Sequence, residues 1–289
     1  MIKYSFIIPT LNRPHDLYNL LQDIGNLRTD LAAVEVLVFN DGDNPEVKTV
    51  CLKNWPFQIN CLYSPERVNS SVSRNKCLDQ AVGEWLVFLD DDVRIEPDFI
   101  GEIEKLLGTG KSAFSFRVQL KYRRQPSLLS GWLENIYPGK ILPALGLMVG
   151  GFDRVYPKEL VVDHLPGANM IFKKMIIGDI RFDEVIGQGT GYLDDADFSY
   201  QVHRVSGSQL WYIPQYSVLH LQTPAGGNRE LDKTKWYYYY QNHKFIFFKK
   251  YFAKYLVLAA VFNFGEMLLR SLAYRKNLWP AFINAFKNA

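Results

Sequence analysis

The stretch "SSVSRNKCLDQAVGEWLVFLDDD", residues 70–92, holds two periodicities and the turn between them. Val72, Cys77, Leu78 and Ala81 recur at helical spacing behind capping serines, which predicts a helix over 70–82. "EWLVFL" (84–89) is a short continuous apolar run, which predicts a strand. That strand ends in three adjacent carboxylates, Asp90, Asp91 and Asp92. Their mutual repulsion makes this a poor place to end a strand on stability grounds alone.

The same alternation extends outward. "YSFIIPT" (4–10) reads as a strand stopped by Pro9, and "PHDLYNLLQDIGNL" (14–27) as a helix with Pro14 in its first turn. Strands follow at 34–41 and 57–63, with a short helix at 46–53 between them and another at 97–108 closed by Gly108. Strands alternating with helices imply right-handed crossovers and a mainly parallel sheet. Ligands of such sheets sit beyond the carboxyl ends of the strands. Thr10, Asn12 and Arg13, then Asn40 and Asp41, then Asp90 to Asp92 should therefore meet in one crevice. After residue 110 the regularity fades. A strand is expected at 113–119, an irregular insertion at 120–160, and a helix at 195–207 with a glycine stop. Two short strands at 209–223, a glycine-rich loop at 224–230 and helices from Asp232 onward complete the chain.

With 289 residues, 48% of them hydrophobic, the chain can bury a sizeable core. Lys plus Arg is 33 against 30 for Asp plus Glu, a balance that makes no case for nucleic acid as a partner. Cys51, Cys61 and Cys77 lack metal spacing; Cys51 and Cys61 could pair, but the three read rather as reduced thiols of a cytoplasmic protein. The N-terminal "MIKYSFIIPTLNRP" does not read as a signal peptide. No stretch is expected to supply the roughly 20 apolar residues of a membrane span. The closest, Tyr255 to Leu269, carries Asn263 and Glu266.

Three carboxylates at a strand end can hold a hard divalent cation, Mg²⁺ or Mn²⁺, that completes its shell with substrate phosphate. A lone "DDD" would better suit a solvated acidic turn before a helix; the strand order places Asp41 nearby, which raises the cation reading. "FIIPTLNR", "VFNDG", "SVSRNKCL", "VFLDDD" and "YLDDADF" occur in the order of a family 2 glycosyltransferase, which the chain resembles from about residue 3 to 250. The resemblance implies an α/β chain of the GT-A nucleotide-diphospho-sugar transferase fold, a mainly parallel sheet flanked by helices. The catalytic domain would span 1–230, with a nucleotide-binding half at 1–118 and an acceptor-side half at 119–230. Residues 231–289 would form a helical extension.

The resemblance also implies roles. Pro9, Thr10, Asn12 and Arg13 would form the first nucleotide-binding loop. Asp41 would accept a hydrogen bond from a base N–H, and Arg74 would meet phosphate or a carboxylate. Asp92 would be a metal ligand, and Asp90 or Asp91 would contact ribose. Asp195 falls where the catalytic base belongs, after Asp194 in place of the common Glu; either acid also suits a helix N-cap. "HLPGANMIF" (164–172) would line the acceptor side, with "GAN" (167–169), including Asn169, approaching the sugar through its backbone. His220, ending a strand, would be a further metal ligand, with Gln222 to Asp232 as a lid and Arg229 as its contact. Asn242 and His243 stand where relatives have Asn-Arg. Gln201 and Arg204 mimic the Q-x-x-R of processive synthases, but Val205 and the nearness of the acidic pair reject that reading. The first strand lacks the G-x-G-x-x-G of dehydrogenases.

The expected function is inverting, metal-assisted transfer from a nucleotide-diphosphate sugar to a hydroxyl of a glycan or lipid-linked glycan. The alternative is a non-catalytic sugar-nucleotide binder or a scaffold of a glycan assembly complex. The last 40 residues mix apolar, basic and aromatic side chains. They suit either helices packed on the catalytic domain or a peripheral contact with the inner face of the cell membrane.

Overall fold

The computed structural model describes residues 1–122, 127–223 and 232–289. β1 (Tyr4–Thr10), α1 (Pro14–Gly25), β2 (Val34–Asp41), α2 (Pro45–Cys51), β3 (Gln58–Ser64), α3 (Ser70–Gln80) and β4 (Trp85–Leu89) follow the predicted alternation. β1, β2, β3 and β4 are mutually parallel, in the spatial order β3-β2-β1-β4. Pro9 does not stop β1. Pairing with β4 covers only Tyr4 to Ile7, whereas pairing with β2 runs on to Thr10. The missing N–H of Pro9 therefore falls where β1 has a single strand neighbour.

Next come the two-residue β5 (Val93–Arg94), α4 (Phe99–Leu107) and β6 (Ala113–Leu120). The expected irregular insertion holds α5 (Leu128–Ile136) and a small hairpin, β7 (Ile141–Leu142) with β8 (Leu147–Met148). β9 (Leu160–Val162), β10 (Asn169–Lys173), α6 (Lys174–Ile177), α7 (Asp194–Ser206) and β11 (Leu210–His220) complete the sheet. Its order continues β4-β10-β6-β11-β5, with β9 also on β11. β10 is antiparallel to both neighbours, so the sheet is parallel in its first half and mixed beyond β4. The two short strands expected at 209–223 are one, β11, whose register on β6 shifts between Ile213 and Ser217, around Pro214.

Strand alternation divides the core. Phe6, Ile8, Val36, Val38, Val87 and Leu89 face α1, α2 and α4. Ile7, Leu37, Phe39, Leu86 and Phe88 face α3 and α7. Phe88 sits edge-on to Phe172, Phe182 and Phe198, and the last two stack at 3.9 Å. With both faces covered, only the strand ends can build a polar site.

α8 (Lys233–Phe252), α9 (Leu256–Tyr274) and α10 (Trp279–Lys287) close the chain. α8 buries Tyr237, Phe245, Phe247 and Phe248, and packs against α7 and α10. Within the helical run Lys233–Tyr274, an 18-residue window has mean hydropathy 1.5 and no more than two charged residues. It is long and apolar enough, by length and composition, to cross a membrane, and 17% of it is buried. This departs from the expectation that no such stretch exists, because Asn263 and Glu266 weigh little against the leucines, valines and phenylalanines around them.

Candidate active site

The turn after β4 sends its three carboxylates in different directions. Asp91 is buried, accepting from Thr10 Oγ1 at 2.7 Å and from Arg13 Nη1 at 2.9 Å. Burial pushes its carboxyl up to about 7, against the pull of Arg13 and the Thr10 hydroxyl. Asp92 leads directly into β5, which pairs antiparallel with the end of β11. That pairing brings His220 to Asp92, with Nε2 3.1 Å from Oδ1, while Thr223 N–H donates to Oδ2 at 3.0 Å. Burial acts to raise Asp92, but His220, Arg13 and the Thr223 N–H together hold it below the ordinary carboxylate value. Asp90 accepts from Arg74 Nη2 at 3.0 Å.

Asp90, Asp92 and His220 each offer a ligand atom within 4.8 Å of the others. Two carboxylates and an imidazole suit Mn²⁺ or Mg²⁺. Asp90 thus stands with Asp92 and His220, the two residues expected as metal ligands.

Arg74, buried in α3, also donates to Asp194 Oδ2 through Nη1 at 2.8 Å. Ser70 Oγ donates to the same oxygen at 2.6 Å. The predicted serine cap of α3 is instead Asn69, whose side chain accepts from Val72 N–H at 3.0 Å. Asp194 and Asp195 open α7, and neither is its N-cap. Leu193 holds that place at φ 73°, a conformation that costs a non-glycine residue energy and sits beside the site. Asp195 accepts from Gly167 N–H at 2.5 Å. Burial, and then the neighbouring Asp194 charge, push Asp195 up to about 7. A side chain at Gly167 would stand 3.0 Å from Asp195 Oδ2, so only glycine allows this approach without displacement.

One cavity of about 710 Å³ holds these groups. Pro9, Thr10, Arg13, Asp41, Arg74, Asp90, Asp91 and Asp92 line it. Met148, His164, Gly167, Tyr192, Asp194, Asp195 and Trp236 also line it, together with His220. Asp41 accepts from Val68 N–H through Oδ1 at 2.7 Å, and burial raises it above the ordinary carboxylate value. Two expected residues are not brought to the cavity. Asn169 exchanges two hydrogen bonds with the Phe116 backbone, tying β10 to β6. Asn12, at φ 55°, accepts from Asn44 Nδ2 in the turn after β1. Arg229 and most of the expected lid lie outside the described residues. Asn242 and His243 act within the fold: Asn242 Nδ2 donates to Ala285 O, and His243 Nδ1 lies 2.9 Å from Tyr192 O.

The sequence reading missed Tyr192 and Trp236, which line the cavity, and Ser70, which holds Asp194. Tyr192 stands two residues before Asp194, a signal that proximity alone offered. Trp236 heads an aromatic run that reads as helix core, and its ring stacks on Tyr240 at 5.0 Å.

The pattern of Glycosyl transferase family 2 matches residues 5–180, well over half of the chain. The succinoglycan biosynthesis protein ExoM of Rhizobium meliloti (strain 1021) is 29% identical over 118 residues. That match covers 39% of this chain and a little over a third, 38%, of the relative's length. Among solved structures, S. aureus TarS 1–349 in complex with UDP-GlcNAc superposes with TM-score 0.67 at 15% identity, covering 98% of this chain and 79% of TarS 1–349. Mannosyltransferase PcManGT from Pyrobaculum calidifontis, in complex with GDP-Man and Mn²⁺, gives 0.60 at 14%, covering 99% and 86%. At such identities the likeness speaks for the fold alone. With five motifs converging on one cavity and the family pattern spanning four of them, the chain belongs to glycosyl transferase family 2, with the GT-A fold and a helical C-terminal region.

Proposed function

We propose that the protein transfers a sugar from a nucleotide-diphosphate donor to a hydroxyl of a glycan or lipid-linked glycan, inverting the anomeric centre. The observation that carries this is the shared cavity: a raised carboxyl, Asp195, faces the same space as the Asp90–Asp92–His220 group. Asp90, Asp92 and His220 would hold Mn²⁺ or Mg²⁺. When bound, the cation supplies positive charge against the leaving diphosphate.

The remaining work belongs to the chain. Asp41, with Oδ1 held by Val68, offers its second oxygen to a base N–H. Arg13 and Thr10 fix Asp91, which keeps the turn after β4 in place. Arg74 holds Asp90 on one side and Asp194 on the other, so a single guanidinium spaces the donor corner from the helix that bears the base. Asp195 takes the acceptor hydroxyl proton as that oxygen attacks the anomeric carbon. The bond to the diphosphate breaks, and its electron pair leaves with the diphosphate. Tyr192 and Trp236, which line the cavity, offer aromatic contact to the acceptor.

The test is donor turnover by Asp195→Asn beside donor binding by the same variant. Transfer should fall by about 10²–10⁴-fold with binding retained. Unchanged transfer removes Asp195 as base. Full activity in excess chelator removes the cation. Donor binding with no turnover by the intact protein favours the non-catalytic binder.

A further inference from the structure

α9 is built inside out. Its polar side chains turn toward the protein: Asn263 is 2% exposed, and Lys244 of α8 donates to it and, at 3.2 Å, to Glu266. Arg270 pairs with Glu266 at 2.8 Å, and its guanidinium lies over the rings of Trp236 and Tyr240. The opposite face is apolar without interruption. From Leu256 to Ala273 every exposed position is an apolar residue or glycine. Val257, Leu269 and Leu272 are 74%, 70% and 77% exposed, and Val261, Phe262 and Leu268 continue the stripe. Exposed cations stand only beyond its ends: Lys254 before it, Arg275 and Lys276 after it. Trp279, half exposed, follows.

We propose that this face binds the surface of a bilayer rich in anionic lipid, with α9 lying in the plane of the headgroup–acyl boundary. An apolar stripe of this extent exceeds the scattered exposed leucines of an ordinary surface. Its cations sit where headgroup phosphates would meet them, and no exposed acid intervenes. Nineteen residues give about 28 Å of helix, enough for a sizeable footprint. A second copy of the chain fits less well: two-fold pairing along α9 sets Arg275 and Lys276 against the partner's Lys254. A transmembrane placement is also disfavoured, because it would strand the Lys244–Glu266–Arg270 network in hydrocarbon.

The inference rests on α9 alone, and lipid binding is read without turnover, so its failure is separable from that of the transferase reading. The full chain is floated with vesicles of phosphatidylcholine alone and of phosphatidylcholine with phosphatidylglycerol, beside a Val261→Asp/Leu269→Asp variant. The chain should float with the anionic vesicles, less so in high salt. The variant should partition about tenfold more weakly or worse, with an unchanged thermal melt. A chain that stays unbound overturns the proposal. So does a variant that floats like the parent, or a self-associated species that the variant dissociates while neither chain floats.

Discussion

Asp195 ties the site to pH. Its carboxyl ionises about 7, raised first by burial and then by Asp194, and only the ionised form can accept a proton. The rate at limiting donor and acceptor should therefore climb about tenfold per pH unit below 7 and level off above it, and Asp195→Asn should lose that limb. The stability effect has its own sign. A carboxyl raised in the folded state prefers to stay protonated there. Its contribution therefore lowers stability as pH rises from about 4 to about 7, read as a falling melting temperature. Gly167→Ala should lower kcat by displacing Asp195, with little change in donor binding. Asp195 is legible in the sequence because its motif fixes its place at a helix start. The parts played by Asp90, Asp91 and Asp92 are not, because adjacent residues leaving a strand point different ways and their partners arrive from distant segments. Arg13 claims Asp91, while Arg74 and His220 stand beside Asp90 and Asp92. Nor does the sequence show that the Asn169 side chain serves the Phe116 backbone. Asn169→Ala should cost about 1–3 kcal/mol in chemical denaturation by leaving that backbone unpaired, with donor affinity unaltered.

Among elements, β1, β2, β4, α1 and α3 lie within a few residues of their predicted bounds, since each carries its own apolar period. β5 and β11 escape such reading. β5 has two residues and exists only because β11 is beside it, and β11 passes through Pro214, which ordinarily ends a strand. Their pairing is what sets His220 next to Asp92, so this cluster is a tertiary product. α3 makes a local contribution that can be tested. Asn69→Ala removes the bond to Val72 N–H and should cost about 1 kcal/mol on the stability curve. Because Arg74 rides on the second turn of α3, the same change should also weaken donor binding.

At the scale of the molecule, the C-terminal helices pack directly on the elements that carry the cavity. α8 buries Phe247 and Phe248 in one cluster with Leu193, Ala196 and Tyr200, directly behind Asp194 and Asp195. A chain ended at residue 230 uncovers those side chains and should be insoluble, a result read by fractionation after expression. Trp236, at the head of α8, lines the cavity, so Trp236→Ala should raise the acceptor KM several-fold while leaving the donor Kd unaltered. Packing runs across the boundary near residue 230 that the resemblance implies, and periodicity along a chain carries no information about which elements touch. The Arg270 guanidinium joins these observations, pairing with Glu266 on α9 and covering the Trp236 ring at 5.7 Å. The helix face assigned to lipid and the wall assigned to the acceptor are thereby held at one fixed separation. Adsorption through α9 would then reduce the search for a membrane-anchored acceptor from three dimensions to two, so turnover of such an acceptor should follow its surface density in the vesicle rather than its bulk concentration.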